Sequence, residues 1–224
     1  MKKTIAAFGL IAAWFAAGAA HASDVGITAD LGTTGMGFHV TVPVQSSLNA
    51  RFGLNYLSYS YDGSTSDLDY KFKLNLNTFD ALLDWFPMDN GFRISSGLVY
   101  NNNKITANAK PNQIGTYTIN GNTYSAANAG QVDGKIDFRK IAPYVGIGWG
   151  NAVAKDKGWG FSSDLGVLFQ GGARTSLNNS GCTADAATCA RLASDVNAEN
   201  VTLQDKVHNY KAYPVLRVGV SYRF

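Results

Sequence analysis

Apolar residues recur at every second position in eight separate segments of the chain. The C-terminal segment YPVLRVGVSYRF shows the pattern clearly, since Leu216, Val218 and Val220 alternate with Arg217 and Ser221. A period of two is that of a β-strand, whose successive side chains point to opposite faces. The other segments are 25–32, 37–44, 50–61, 78–87, 92–103, 141–150 and 159–173. The sequence therefore predicts an all-β fold with eight strands.

Strands with one apolar face fit two environments, a soluble sandwich with an apolar core or a membrane barrel with an apolar outside. The opposite faces of these segments are rich in Gly, Ser and Thr and carry a few charges of both signs. Small residues suit the crowded inside of a narrow closed barrel. Exposed strands of soluble proteins would carry more Lys and Glu. The composition of the polar face therefore favours the barrel.

Aromatic residues gather at segment ends, beside short connections or the C-terminus. They are Trp85, Phe86, Phe92, Trp149, Trp159, Phe161, Tyr222 and Phe224. Amphipathic rings are favoured at membrane interfaces, so these residues are predicted to form an interfacial girdle.

Short and long connections alternate along the chain. The short ones are QSSLN, MDNG and NAVAKDKG, and the long ones span about 110–135 and 176–205, with a shorter DGSTSDLDY before them. Short periplasmic turns and long extracellular loops are typical of outer-membrane barrels. With both chain ends in the periplasm the strand number must be even, and GTTG at 32–35 supplies the turn that this requires. The prediction is an eight-stranded antiparallel transmembrane β-barrel.

The N-terminus predicts export. Lys2 and Lys3 precede a short apolar run, and Ala20-His21-Ala22 is a cleavage pattern, so residues 1–22 are predicted to be a signal peptide and 23–224 the mature barrel in the outer membrane of a Gram-negative cell. Loss of the two lysines lowers the formal net charge from +3 to +1, which gives no case for a nucleic-acid partner. No later run of 18 apolar residues predicts a membrane helix.

The two long connections contain their own structure. INGN at 119–122 predicts a small hairpin, and the stretch 185–200 is prone to form a helix. Cys182 and Cys189, in an exported chain, predict a loop disulfide rather than two free thiols. No His or carboxylate cluster surrounds them, so neither a metal nor another cofactor is predicted. Together the loops would cap the barrel mouth and form a binding surface.

The inward faces carry the candidate functional residues. The charged residues predicted to face the lumen are Asp30, Arg51, Asp80, Asp84, Arg93, Lys140, Asp164, Arg174, Lys211, Arg217 and Arg223. His39 falls on the same face. Opposite charges in a narrow barrel should pair, because an unpaired buried charge is costly. One hypothesis is a rigid plug of salt bridges, and the other is a narrow polar path for a small zwitterion or cation.

The last strand must pair with the first, because an open sheet edge cannot exist in hydrocarbon. Phe224 and Tyr222, with apolar residues at alternate positions before them, resemble the signal read by the outer-membrane assembly machinery. The partners predicted are therefore that machinery, outer-membrane lipid and lipopolysaccharide, and a small polar solute, for a monomer.

Several stretches resemble the CarO-type family. They are LGTTGMG, GLVYNNNKI, INGNTYSAANAGQVDGKIDFRKIAPYVGIGWG and GWGFSSDLGVLFQGGARTSL. Members are eight-stranded outer-membrane barrels described as ornithine-uptake porins and carbapenem-associated proteins. The resemblance implies entry of small basic amino acids such as ornithine through a barrel without a wide pore. It does not extend to the cysteine-containing loop, and it transfers no binding residue.

Three functions are left for comparison. The first is a narrow channel for small hydrophilic solutes, and the second is a non-conducting barrel whose loops serve adhesion, partner binding or membrane integrity. The third is a membrane-embedded lipid enzyme, which would need a nucleophile, a histidine and a carboxylate at the rim. The mature chain offers only His39, beside Thr41, and His208, and its only glutamate lies in a loop. The prediction is therefore that the chain is not an enzyme.

Overall fold

A computed structural model describes residues 25–64, 69–88, 90–110, 115–154 and 158–224. The predicted signal peptide lies outside these residues. The described residues form thirteen strands and two helices. In chain order they are β1 (Gly26–Gly32), β2 (Gly35–Gln45), β3 (Leu48–Ser64), β4 (Asp69–Trp85), β5 (Phe92–Asn101), β6 (Lys104–Lys110), β7 (Thr116–Ile119), β8 (Asn122–Ser125), α1 (Ala126–Ala129), β9 (Gln131–Asp137), β10 (Ile141–Trp149), β11 (Gly158–Leu168), β12 (Arg174–Ser180), α2 (Ala186–Val207) and β13 (Tyr213–Arg223).

Eight of these strands close into a ring. The order is β1, β2, β3, β4, β5, β10, β11 and β13, and every neighbouring pair is antiparallel. The last strand returns to the first, with Gly26 opposite Arg223 and Gly32 opposite Arg217. Closure leaves the barrel no free edge. The eight predicted strands and the turn at 33–34 are confirmed.

The two faces of each barrel strand differ as predicted. On β13, Leu216 and Val218 are 52% and 50% exposed, whereas Arg217 and Ser221 are 2% and 3% exposed. The same alternation holds along the other barrel strands, so the apolar side chains point outwards and the charged ones point inwards. This is the arrangement of a transmembrane barrel rather than of two stacked sheets.

Glycine makes room for the large inward side chains. Gly53 lies directly across from His39, and a Cβ built on it would overlap the imidazole ring. A Cβ on Gly146 or Gly166 would likewise meet the Tyr144 ring. The inward glycines therefore form the part of the wall against which bulky inward residues pack.

Beyond the barrel, β4 extends the same sheet outwards into a part that we call the cap sheet. It has the order β4, β6, β9 and β12, all antiparallel. The segment predicted as the loop DGSTSDLDY instead contributes 62–64 to β3 and 69–70 to β4, so that prediction was wrong. It failed because the two strands stay paired well past the barrel rim.

The hairpin β7–β8 and the helix α2 pack on this sheet and complete the cap. Their buried contacts involve Tyr117, Ile119, Tyr124, Leu192 and Val196. The predicted hairpin is confirmed, and its two-residue turn has both central residues at positive φ, 50° at Asn120 and 77° at Gly121. The predicted helix is confirmed and extends to Val207.

A disulfide joins Cys182, which precedes α2, to Cys189, which lies in the first turns of that helix. Among the described residues, no helix is long and apolar enough to cross a membrane.

The predicted aromatic girdle is present with one exception. Trp85, Trp149 and Trp159 are about half or more exposed, at 49%, 52% and 79%. Phe86 is 9% exposed and lines the base of the lumen with Arg51, so its assignment to the girdle was wrong. Phe86 lies just after the end of β4, where the strand alternation no longer fixes its face.

Candidate functional site: the ion-pair network in the barrel lumen

The inward charges form two layers, and the first lies nearer the short turns. Arg51 on β3 donates to Asp164 on β11, with Nη1–Oδ2 at 2.8 Å and Nη2–Oδ1 at 3.1 Å. Its Nε lies 2.9 Å from Asp84 Oδ2 on β4. Arg93 on β5 donates from Nη2 to Asp164 Oδ1 at 2.8 Å. Two carboxylates thus bind between two guanidinium groups, a geometry that suits their planar donors.

Polar neighbours complete this first layer. Ser95 donates to Asp84 Oδ1 at 2.5 Å, and Arg93 also donates to the Gly150 carbonyl and to Ser162. Charged groups that are buried with this many partners avoid much of the penalty of an isolated buried ion.

The second layer lies nearer the cap. Arg217 on β13 reaches Asp80 on β4, with Nη2–Oδ2 at 2.8 Å. The His39 ring lies between two carboxylates, with Nδ1 2.7 Å from Asp30 Oδ2 and Nε2 3.1 Å from Asp80 Oδ2. Asn55 donates to the same Asp80 oxygen at 3.1 Å. His39 therefore links β1, β2 and β4 within the lumen.

The charges of the two layers balance when His39 is protonated. Three arginines face four aspartates, so the network carries one excess negative charge with neutral His39. A neutral imidazole donates from only one nitrogen, whereas an imidazolium donates from both. Since both nitrogens contact carboxylate oxygens, the geometry fits the protonated form.

An apolar belt lines the lumen on the side of β4, β5, β10, β11 and β13. Its members are Leu82, Val99, Ala142, Tyr144, Leu168 and Val215, all 2% exposed or less. Leu82 belongs to the same inward row as Asp80 and Asp84. Along β4, Leu82 therefore stands between Asp80 of the second layer and Asp84 of the first.

Together the layers and the belt close the barrel. The eight ionisable side chains of the network are between 0% and 6% exposed. A cavity beside the first layer, lined by Thr41, Asn49 and Arg51 among others, has a volume of only about 10 Å³. That is at or below the space that one water molecule needs. Bulk solvent consequently reaches neither layer.

Comparisons with known proteins identify the architecture. No family model matches the chain, and no curated protein sequence matches it. Among solved structures, CarO2 of Acinetobacter baumannii superposes with a TM-score of 0.55 and 23% identity, over 89% of this chain and 98% of that one. CarO of the same organism gives 0.53 and 25%, over 89% and 97%. The chain has the CarO-type fold. The superposition covers nearly the whole length of both CarO structures, so it supports the resemblance noted in the sequence.

The CarO-type barrel brings together seven of the eleven charged residues predicted to face its lumen. They are Asp30, Arg51, Asp80, Asp84, Arg93, Asp164 and Arg217.

Three other residues lie outside the lumen, and their predicted orientation was wrong. Lys140 is exposed between β9 and β10 and donates to Asn102. Arg174 is exposed at the start of the cap strand β12, and Lys211 is exposed before β13. The prediction extended the in-and-out alternation of side chains past the ends of the barrel strands, where the chain no longer alternates in this way. Arg223 is half-buried at the barrel rim and belongs to neither layer.

The sequence underestimated two features. The alternation places His39 inwards, but it does not predict that His39 stands at the centre of a charged layer. Gly53, directly opposite on β3, was the available sign that a large inward side chain needs room there. The alternation places Leu82 inwards between two aspartates, but the apolar belt to which it belongs was not predicted. The two histidines of the enzyme hypothesis stay apart, since His39 is in the lumen and His208 is exposed at the C-terminal end of α2.

The residues predicted to form the assembly signal lie at the rim. The rings of Tyr222 and Phe224 meet edge to face with centroids 5.1 Å apart, and Trp159 packs on Tyr222 at the same distance. Their recognition by assembly machinery stays a prediction.

Proposed function

We propose that this protein is an outer-membrane channel for small hydrophilic solutes, closed at rest by the ion-pair network of its lumen. The observation that carries this proposal is that two ion pairs, Arg51–Asp164 and Arg217–Asp80, cross the barrel between opposite strands. Apolar packing would fill a barrel at least as stably, because buried ion pairs carry a large desolvation penalty. Exchangeable charges of both signs are what a path for a zwitterion or a cation requires.

Small basic amino acids, ornithine first, are the solutes that we propose. The resemblance to CarO-type proteins implies them, and the chemistry of the lumen is compatible with them. An incoming ammonium group would replace an arginine at Asp84 or Asp80, while the solute carboxylate would take the arginine that was released. Each exchange keeps one ammonium group and the carboxylate of the solute paired.

Uptake of radiolabelled ornithine into proteoliposomes tests the proposal. We expect the wild type to exceed empty vesicles and Asp84→Asn to reduce uptake severalfold, since one exchange partner is lost. Arg174→Ala, which changes an exposed arginine of the cap, is the control and should equal the wild type. Wild-type uptake no greater than that of empty vesicles would refute the channel.

The closed lumen supports a second candidate, a non-conducting barrel whose cap serves adhesion, partner binding or membrane integrity. Solvent reaches neither charged layer, and the cap is an ordered structure with its own buried core. Deletion of the β7–β8 hairpin together with α2 distinguishes the candidates. Loss of adhesion, partner binding or membrane integrity with unchanged ornithine uptake would favour the second candidate. Loss of ornithine uptake with these functions intact would favour the channel.

Export by a signal peptide, insertion by the assembly machinery, contact with lipopolysaccharide and a monomeric state complete the proposal. They are supported by the sequence features described above and by the outward apolar wall.

A further inference from the structure

The cap contains a hollow with a volume of about 560 Å³ between its sheet and the helix α2. Its floor includes one row of paired residues across four strands, namely Phe72, Ala107, Gly134 and Leu177. The two central residues, Ala107 and Gly134, are the smallest of the row. A volume in this range is typical of sites for small organic molecules.

The roof is the apolar stripe of α2. Leu192, Val196, Glu199 and Leu203 follow one another at intervals of four, three and four residues and therefore share one side of the helix. Leu192 and Val196 are buried in the cap core, and the last three line the hollow. Glu199, the only glutamate of the chain, thus interrupts an otherwise apolar stripe at the hollow.

Two charged residues line the hollow, and only one of them is neutralised. Lys135 Nζ lies 2.6 Å from Asp137 Oδ2. Among the ion pairs of the described residues, none involves Glu199, which is half-buried. A carboxylate at a partly buried apolar surface gains most from a cationic partner.

The other acidic residue of the helix near this point is already occupied. Asp195 accepts hydrogen bonds from Asn120 at 3.1 Å, from Asn122 at 2.8 Å and from the Tyr124 hydroxyl. Asp195 therefore stabilises the hairpin, and Glu199 is the carboxylate that remains available at the hollow.

We propose that the hollow binds a small amphipathic cation, with a ring or short alkyl chain on the floor and one ammonium group at Glu199. The apolar floor excludes free basic amino acids, whose second charged end would lie on Phe72 and Ala107. The unpaired carboxylate disfavours anions. This site is separate from the lumen and does not depend on the channel proposal.

Methyl NMR of isoleucine-labelled protein in lipid nanodiscs tests the inference, with 2-phenylethylamine as the probe. Ile105 and Ile136 line the hollow, whereas Ile141 and Ile147 are exposed on the lipid-facing wall. We expect saturable shifts at the first pair and none at the second. The neutral 2-phenylethanol should bind about tenfold more weakly, and phenylacetate should not bind, because the charge-assisted contact is absent.

Two variants distinguish the contribution of the Glu199 charge to binding from the contribution of the apolar floor. Glu199→Gln should weaken 2-phenylethylamine about tenfold and leave 2-phenylethanol unchanged. Ala107→Leu should abolish binding of both by filling the floor, and Thr106→Leu, on the other face of the same strand, should bind as the wild type does. Equal shifts at lipid-facing and cap isoleucines, or undiminished amine binding in Glu199→Gln, would overturn the proposal.

Discussion

Arg51 on β3 and Asp164 on β11 stand on opposite strands of the eight-stranded ring, and two hydrogen bonds of 2.8 and 3.1 Å join them across the lumen. Arg217 on β13 and Asp80 on β4 repeat this relationship nearer the cap. Each ion pair therefore braces the barrel across its width while also blocking it. The same contacts set both the stability of the wall and the closure of the lumen.

Removal of Arg51 should destabilise the barrel strongly. Arg51→Ala leaves Asp84 and Asp164 buried without the guanidinium that both contact. Breaking one side of a buried ion pair costs about 3–5 kcal/mol. Reversible urea unfolding in lipid vesicles measures the change. Arg174→Ala, at an exposed site, should shift the free energy of unfolding by less than about 0.5 kcal/mol; equal effects of the two substitutions would contradict the role given to Arg51.

The glycine opposite His39 should not tolerate a side chain. In Gly53→Ala the new methyl group overlaps the imidazole, so the ring must leave its place between Asp30 and Asp80. Overpacking of this kind costs about 1–3 kcal/mol. Gly160→Ala is the matched control, because the added Cβ meets only the movable Ser221 hydroxyl. Similar stability of the two variants in the same urea experiment would show that the His39 layer is loosely packed.

The disulfide should act on the cap alone. Cys182 packs against the cap core and Cys189 lies in the first turns of α2, and neither contacts the barrel layers. Reduction should therefore raise amide hydrogen exchange around 182–192 and leave exchange in β11 and β13 unchanged. Faster exchange in the barrel strands on reduction would show that cap and barrel unfold together.

Acid should loosen the cap. The hydroxyl of Tyr124 and the side chains of Asn120 and Asn122 donate to Asp195, which holds the pKa of this carboxyl below its usual value. The stabilisation is complete above the pKa of an unfolded Asp, about 3.9, and is lost as the pH falls through the lower native value. Amide hydrogen exchange in β7 and β8, corrected for intrinsic rates, should rise as the pH falls to the native pKa of Asp195 and below it. In Asp195→Asn this acid step should be absent, and its persistence would assign the effect to another group.

The sequence predicted the barrel well because a period of two depends on the backbone alone. Alternation fixed all eight strands and the inward position of Arg51, Asp80 and Asp164 before any contact was known. The cap strands β6 and β9 escaped because each is only seven residues long and has a small residue, Ala107 or Gly134, in the middle of its apolar face, which leaves too short a hydrophobic pattern. Which inward charges pair also could not be predicted, since strands distant in sequence meet only after closure.

Single-channel conductance in planar bilayers tests most directly whether the network closes a path. We predict that the wild type gives at most small, infrequent steps, and that the double variant Arg51→Ala, Asp164→Ala, which removes both partners of one crossing ion pair, raises the conductance severalfold. The exposed cap pair Lys135–Asp137, removed in the same way, is the control and should leave the conductance unchanged. A double variant as silent as the wild type, folded and inserted, would contradict the claim that these charges close a solute path.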